Sequence, residues 1–247
     1  MRGSVVVTAS AGAFPGLVES VRAIPAAVEE VPLMAFEPPL DWDPVDAAVR
    51  ELTRYEVVAF TSPRSARAFV DRVARLGVIP SGHTVVWAAG AGTAQALGPV
   101  LGPVQRPDER AVGERGAAGA LASALLAAGV RGLVLFPCGD IRRDELPARL
   151  RAGGIEVAEV VCYRSVLGSE ADARRAAERA RVLVVASPSV VDLLARACPP
   201  GVRPALLVVG PTTAAAARAA GWPPSGVAPQ ATAEALAAGV RALLATD

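Results

Sequence analysis

The chain of 247 residues contains no lysine; all 25 of its basic side chains are arginine. That absence removes a Walker A phosphate loop, a pyridoxal Schiff base and any lysine nucleophile. Histidine is almost missing too. His83 stands alone beside the Pro80-Ser81-Gly82 turn, where a solvated loop residue is expected. A single histidine forms no transition-metal cluster, and no nucleophile-elbow signature supports a Ser–His–Asp triad. Cysteine is limited to Cys138, Cys162 and Cys198, an odd number at wide spacing. Neither a disulfide framework nor a cysteine-based zinc site fits that pattern. Cys162 falls in a strand pattern and Cys198 near a helix end, which reads as structural. Cys138 alone lies near a candidate site.

No apolar run reaches the ~18 residues of a membrane span without a charge, glycine or proline. Met1-Arg2-Gly3-Ser4-Val5 leads straight into a strand pattern and leaves no room for a signal peptide. A cytoplasmic location and no membrane partner are expected. Net charge is +1 with no basic block, which argues against bulk nucleic-acid binding.

What the chain does have is a message written twice. Phe60-Thr61-Ser62-Pro63-Arg64-Ser65 is echoed by Val185-Ala186-Ser187-Pro188-Ser189-Val190, an offset of 187 − 62 = 125. Gly90-Ala91-Gly92-Thr93-Ala94 is echoed by Gly210-Pro211-Thr212-Thr213-Ala214, an offset of 213 − 93 = 120. Short β-branched runs alternate with helix patterns throughout, the mark of parallel sheets covered on both faces. Strands are expected at Val5–Thr8, Val28–Met34, Val57–Thr61, Thr84–Ala88, Leu133–Phe136, Val157–Arg164, Val182–Val185, Ala205–Val209 and Val227–Ala228. Asp43 is expected to cap a helix from Pro44 to about Arg54, and another helix is expected over Ala117–Ala128.

The duplication is circularly arranged. Val6-Val7-Thr8 matches Leu135-Phe136-Pro137 at an offset of 135 − 6 = 129. The fold expected is α/β: two similar doubly wound parallel-sheet domains (flavodoxin-like) joined by a two-strand hinge. One domain combines residues 1–34 with 168–247, the other spans 40–163, and 35–39 and 164–167 are linkers.

Each repeated motif is a strand running into a helix, where free backbone N–H groups meet an anion. Ser62 and Ser187 are candidate caps, with Pro63 and Pro188 at a first helical position that needs no N–H. Thr61, Arg64, Ser65 and Ser189 flank them. Gly90 and Gly210 open helices with Thr93, Thr212 and Thr213 alongside, and their spacing lacks the third glycine of a dinucleotide fingerprint. Cys138, Gly139 and Asp140 form a further turn at a strand's C-terminal end; Asp140 either binds a ligand NH or caps the next helix. Arg142 and Arg143 either pair with carboxylates or are solvated. Tyr163 ends a strand at the second crossing. Four such junctions in two halves suggest one polyanion held between two domains.

These segments together resemble the uroporphyrinogen-III synthase family over nearly the whole chain. Phe60 to Ser65, Gly90 to Ala94, Phe136 to Asp140, Val161-Cys162-Tyr163-Arg164-Ser165, Ala186 to Ser189 and Val209 to Ala214 carry the likeness. The resemblance implies cyclisation of hydroxymethylbilane to uroporphyrinogen III, with loss of water and inversion of the last pyrrole ring. The enzyme would be a cofactor-independent carbon–oxygen lyase (a cyclising hydro-lyase) with no metal. Its partner would be the linear tetrapyrrole, with room for transient contact with the preceding pathway enzyme, and a monomer is expected. Tyr163 becomes the candidate proton donor to the leaving hydroxyl, a weak acid that assists the step. The family often carries an arginine just after the first strand's threonine; here Thr8 is followed by Ala9-Ser10-Ala11-Gly12, so no carboxylate contact is expected there. The rival reading is a non-enzymatic two-domain anion- or small-molecule-binding or sensor protein.

Overall fold

The computed structural model describes residues 4–10, 13–14, 16–22, 27–80, 84–98 and 100–245. His83 lies outside them. Two units emerge: Met1–Phe36 with Val166–Asp247, and Glu37–Ser165.

The chain begins with β1 (Ser4–Val7), α1 (Leu17–Arg22) and β2 (Ala27–Glu30), then leaves the first unit through β3 (Met34–Glu37). The second unit follows as α2 (Asp43–Arg50), β4 (Val57–Phe60), α3 (Pro63–Leu76), β5 (Val85–Ala88), α4 (Ala91–Leu97), β6 (Val104–Gln105), α5 (Glu109–Ala127), β7 (Val134–Gly139) and α6 (Glu145–Ala152). The long strand β8 (Val157–Leu167) returns to the first unit. That unit then completes itself with α7 (Glu170–Arg179), β9 (Val182–Val185), α8 (Pro188–Ala197), β10 (Ala205–Val209), α9 (Gly210–Ala219), β11 (Gly226–Ala228) and α10 (Ala233–Leu244).

The first unit holds a parallel sheet in the order β11-β10-β9-β1-β2. The other sheet runs β3-β8-β7-β4-β5-β6, with its β8-to-β6 portion parallel. Counted from β9 and from β4, the first sheet and the β6-to-β8 portion of the second both read 3-2-1-4-5, with β3 added at the β8 edge of the second. The first unit reaches that order by taking its last two strands from the chain's beginning, so the circular duplication is a property of the fold. Doubly wound α/β architecture is present in both units.

Strand residues are buried on both faces, and alternation sorts them between two cores. Val6, Leu183, Val185, Leu206 and Val208 pack with α7, α8 and α9, while Val5, Val7, Val182, Val184 and Leu207 pack with α1 and α10. In the second unit Val58, Phe60, Val86 and Leu135 meet α2, α3 and α4, and Val57, Ala59, Trp87, Val134 and Phe136 meet α5 and α6. Phe60 and Phe69 form an edge-to-face pair at 5.6 Å between centroids. At about 25 cal/mol per Å² of apolar surface, such continuous strands are the main source of stability.

Local signals and outcome differ in places. The single strand expected over Val28–Met34 is two strands, because Val31 N–H bonds to Val7 O at 3.0 Å and Leu33 N–H to Thr8 O at 3.0 Å, hooking the chain over the end of β1. Asp43 does not cap α2: it is the first helical residue, and Asp41 accepts its N–H at 2.8 Å. That helix stops at Arg50 and is followed by a 3-10 turn, Leu52–Arg54. The helix expected from Ala117 has a preceding stretch from Glu109, and Gly116 at φ +73° breaks it between the two. Only glycine readily adopts that backbone conformation.

Candidate active site

In open α/β sheets ligands bind beyond the carboxyl ends of the strands, where the strand order reverses. The second unit reverses between β4 and β7, and a cavity of about 260 Å³ lies there. Thr61 and Ser62 from the end of β4, Cys138 and Gly139 from β7, Tyr163 from β8, and Gly116 to Ala118 at the break in α5 line it, with Arg142 and Arg143. The first unit reverses between β9 and β1. Its own cavity, about 140 Å³, is lined by Thr8, Ala9, Ser10, Ser187, Met34 and Phe36, among others.

The serine at the end of β4 behaves as its local pattern requires. Ser62 is extended (φ −141°, ψ 133°), and its hydroxyl accepts from Arg64 N–H at 3.1 Å and Ser65 N–H at 3.4 Å. Ser65 is fully buried and donates its own hydroxyl to Ser62 O at 3.0 Å. Its twin differs. Ser187 has nearly the same backbone angles, but its hydroxyl makes no cap bond and lines the smaller cavity.

The glycine junctions differ as well. Gly90 is an extended N-cap of α4 (φ −165°), whereas Gly210 is the first residue of α9 at φ +72°. Their similar sequences therefore meet different backbones. Thr93 is buried at the start of α4, and Thr213 is buried with its hydroxyl on Ala186 O at 3.5 Å. Thr212 is exposed and Ser189 half-buried. None of Gly90, Thr93, Ser189, Gly210, Thr212 or Thr213 lines either cavity.

Tyr163 does not end its strand, since β8 continues to Leu167. The register explains its placement. Cys138 pairs with Val161 and Gly139 pairs with Tyr163, so β8 carries one extra residue across that step. Such a bulge re-aims the side chain that follows it. The ring of Tyr163 comes to rest over the Cα of Gly139, and the guanidinium carbon of Arg64 lies 5.7 Å from the ring centroid. Burial lowers the Arg64 pKa, and the neighbouring Tyr163 works in the other direction.

Asp140 does not cap the next helix. Its carboxylate accepts from Ile141 N–H and Ser165 N–H, both at 2.8 Å, while its own N–H donates to Tyr163 O at 3.1 Å. It pins the β7 turn to β8, and α6 begins only at Glu145 behind Asp144. Cys138 contributes lining, but its thiol is buried, donates to Val160 O at 3.6 Å, and is pushed up to about 11 by burial. A neutral thiol is a poor nucleophile. Glu159 binds both Arg142 and Arg151. Burial opposes its charge, yet the hydrogen bonds from Arg151 and Arg142 hold its pKa below the ordinary value.

Sequence reasoning missed the Gly116–Ala118 contribution, although a glycine before an alanine run was a usable signal. It also missed Glu159, Met34 and Phe36, which nothing local marks. Among the described residues no group of three His, Cys, Asp or Glu side chains could hold a metal ion, and no helix is long and apolar enough to cross a membrane.

Fold and site define a duplicated, circularly arranged, doubly wound α/β protein with a cavity at each unit's switch point. The family model described as uroporphyrinogen-III synthase HemD matches residues 16–238. The chain belongs to the uroporphyrinogen-III synthase family, and its function is uroporphyrinogen-III synthesis within tetrapyrrole biosynthesis. The likeness read from its motifs is thereby borne out. A mutant uroporphyrinogen III synthase from the extremely thermophilic bacterium Thermus thermophilus is similar in structure, with a TM-score of 0.68 at 18% identity over 100% of both chains. Uroporphyrinogen-III synthetase from Helicobacter pylori gives 0.66 at 18% identity over 98% of this chain and 100% of that one. At such identity these structures speak for the fold. No curated protein matches the chain significantly.

Proposed function

We propose that the chain cyclises hydroxymethylbilane as a cofactor-independent carbon–oxygen lyase, acting as a cytoplasmic monomer with Tyr163 as proton donor. The observation that carries this reading is the placement of Tyr163 in the larger cavity, at the switch point, beside Arg64 and the capped start of α3. Loss of the terminal hydroxyl is the difficult first step, because hydroxide is a poor leaving group. Donation of the phenolic proton lets it depart as water and leaves an electron-poor azafulvene carbon. Attack by the substituted carbon of the last ring then gives a spiro intermediate, which fragments and recloses with that ring inverted. The proton lost from the pyrrole carbon on final closure balances the one donated. Holding the two ends of the chain together supplies much of the rate, since well-oriented intramolecular reactions gain several kcal/mol, about 7–11 at best.

The substrate is a polycarboxylate, and the chain's net charge is only +1. The amides at the start of α3 are taken by the Ser62 cap and Ser62 O, so within their own units the break before Ala117 and the uncapped start of α8 at Ser187 are the openings that suit carboxylates, each dipole end adding about 0.3–1 kcal/mol when exposed. Thr213 steadies the Ser187 junction through its hydroxyl on Ala186 O. The decisive experiment incubates the purified chain with hydroxymethylbilane and resolves the product isomers. The type III isomer is expected; the spontaneous type I isomer alone would indicate a binding protein.

A further inference from the structure

We propose that Glu159 is a positioning residue for substrate recognition: it holds the Arg142 guanidinium at the larger cavity in the orientation that receives a substrate carboxylate. The inference rests on reading that cavity as the tetrapyrrole site.

Arg142 lies between β7 and α6, where no regular backbone fixes a long side chain. A free arginine there would lose much rotamer freedom on binding an anion. Glu159 removes that freedom beforehand. It sits on β8 opposite Phe136, with its side chain only 15% exposed. Its Oε2 accepts from Arg142 Nε and is ion-paired with Nη2 of the same guanidinium. Its Oε1 accepts from Nη2 of Arg151 at 2.7 Å, and the same nitrogen donates to Val157 O at 3.2 Å. The carboxylate is therefore anchored from behind by Arg151 on α6 and grips Arg142 in front. With Nε and Nη2 turned to Glu159, the Nη1 donors are left for a substrate carboxylate. The neighbouring Arg143 also lines the cavity and has no ion pair with a described residue. The two adjacent arginines thus differ in preorganisation.

Charge alone predicts the opposite behaviour. Glu159→Gln removes a negative charge beside a site for a polyanion, so a merely repulsive glutamate would lower KM when neutralised. Positioning predicts a rise. The test is steady-state kinetics on hydroxymethylbilane with the type III product as readout, for Glu159→Gln, Arg142→Gln, Arg151→Gln and the Glu159→Gln/Arg142→Gln pair. Glu159→Gln should raise KM about five- to twentyfold with kcat within about twofold. Arg151→Gln, outside the cavity, should move KM the same way by less. The double variant should be no worse than Arg142→Gln alone, since Glu159 acts through Arg142. An unchanged or lowered KM for Glu159→Gln overturns the proposal, as does a double variant whose KM is the product of the single effects. Melting curves accompany each variant; a lower Tm with wild-type KM below it assigns Glu159 a structural role and also overturns the proposal. If the unaltered chain yields only the type I isomer, the reading of the cavity fails instead.

Discussion

The phenol of Tyr163 occupies the space that a side chain at Gly139 would need. A Cβ built on Gly139 falls 2.5 Å from Cζ and 2.7 Å from the hydroxyl oxygen of Tyr163, far inside van der Waals contact. Glycine is required here for close approach, and the bulge in β8 creates the requirement. Gly139→Ala should displace the ring and lower kcat by roughly ten- to a hundredfold, as should Tyr163→Phe. Steady-state assays with both variants check this. A wild-type kcat in Tyr163→Phe would take the phenol out of the chemistry.

The two Ser-Pro junctions should separate stability from binding. Ser62→Ala deletes a working cap and should cost about 0.5–2 kcal/mol. Ser187→Ala deletes no cap bond, so denaturation should barely change while KM rises. Urea melts and kinetics on both variants make the comparison. Equal destabilisation of the two would show that Ser187 caps α8 after all.

The two glycine junctions should respond unequally to alanine. Gly210 sits at φ +72°, where a Cβ costs roughly 1–2 kcal/mol. Gly90 is extended, with nothing within 4 Å of an added Cβ, and Gly90→Ala should cost only the poorer N-cap, about 0.5–1 kcal/mol. Thermal melts of the two single variants test the ranking; a greater loss at Gly90 would contradict it.

Cys138, Cys162 and Cys198 are all buried as free thiols. None should react with a thiol reagent at pH 8 until the chain is denatured. Burial raises the Cys138 pKa from an ordinary 9.0 to about 11, so the folded chain keeps a proton that the unfolded chain releases in that window. Its contribution to stability is therefore full below pH 9.0 and declines as pH rises toward 11. Chemical denaturation at pH 8 and pH 10.5, with Cys138→Ala as the control, measures the slope. Identical slopes for both chains would exclude Cys138 as its source.

Much of this molecule is legible in short stretches of chain. Strands such as Val182–Val185, the Ser62-Pro63 helix start and the Gly77 helix stop depend on propensities and bonds within a few residues, and so they can be read locally. The duplication and its circular order are legible for the same reason, since each unit repeats a local pattern. Tertiary structure decided the rest: the bulge that lays Tyr163 over Gly139, the differing backbones of Gly90 and Gly210, the hook that splits β2 from β3, and the Arg142–Glu159–Arg151 grip. Each depends on which strand lies beside which, and in what register. Residues far apart in the chain must first be brought together by burial of the sheet faces before their side chains can meet, and no local pattern encodes that alignment.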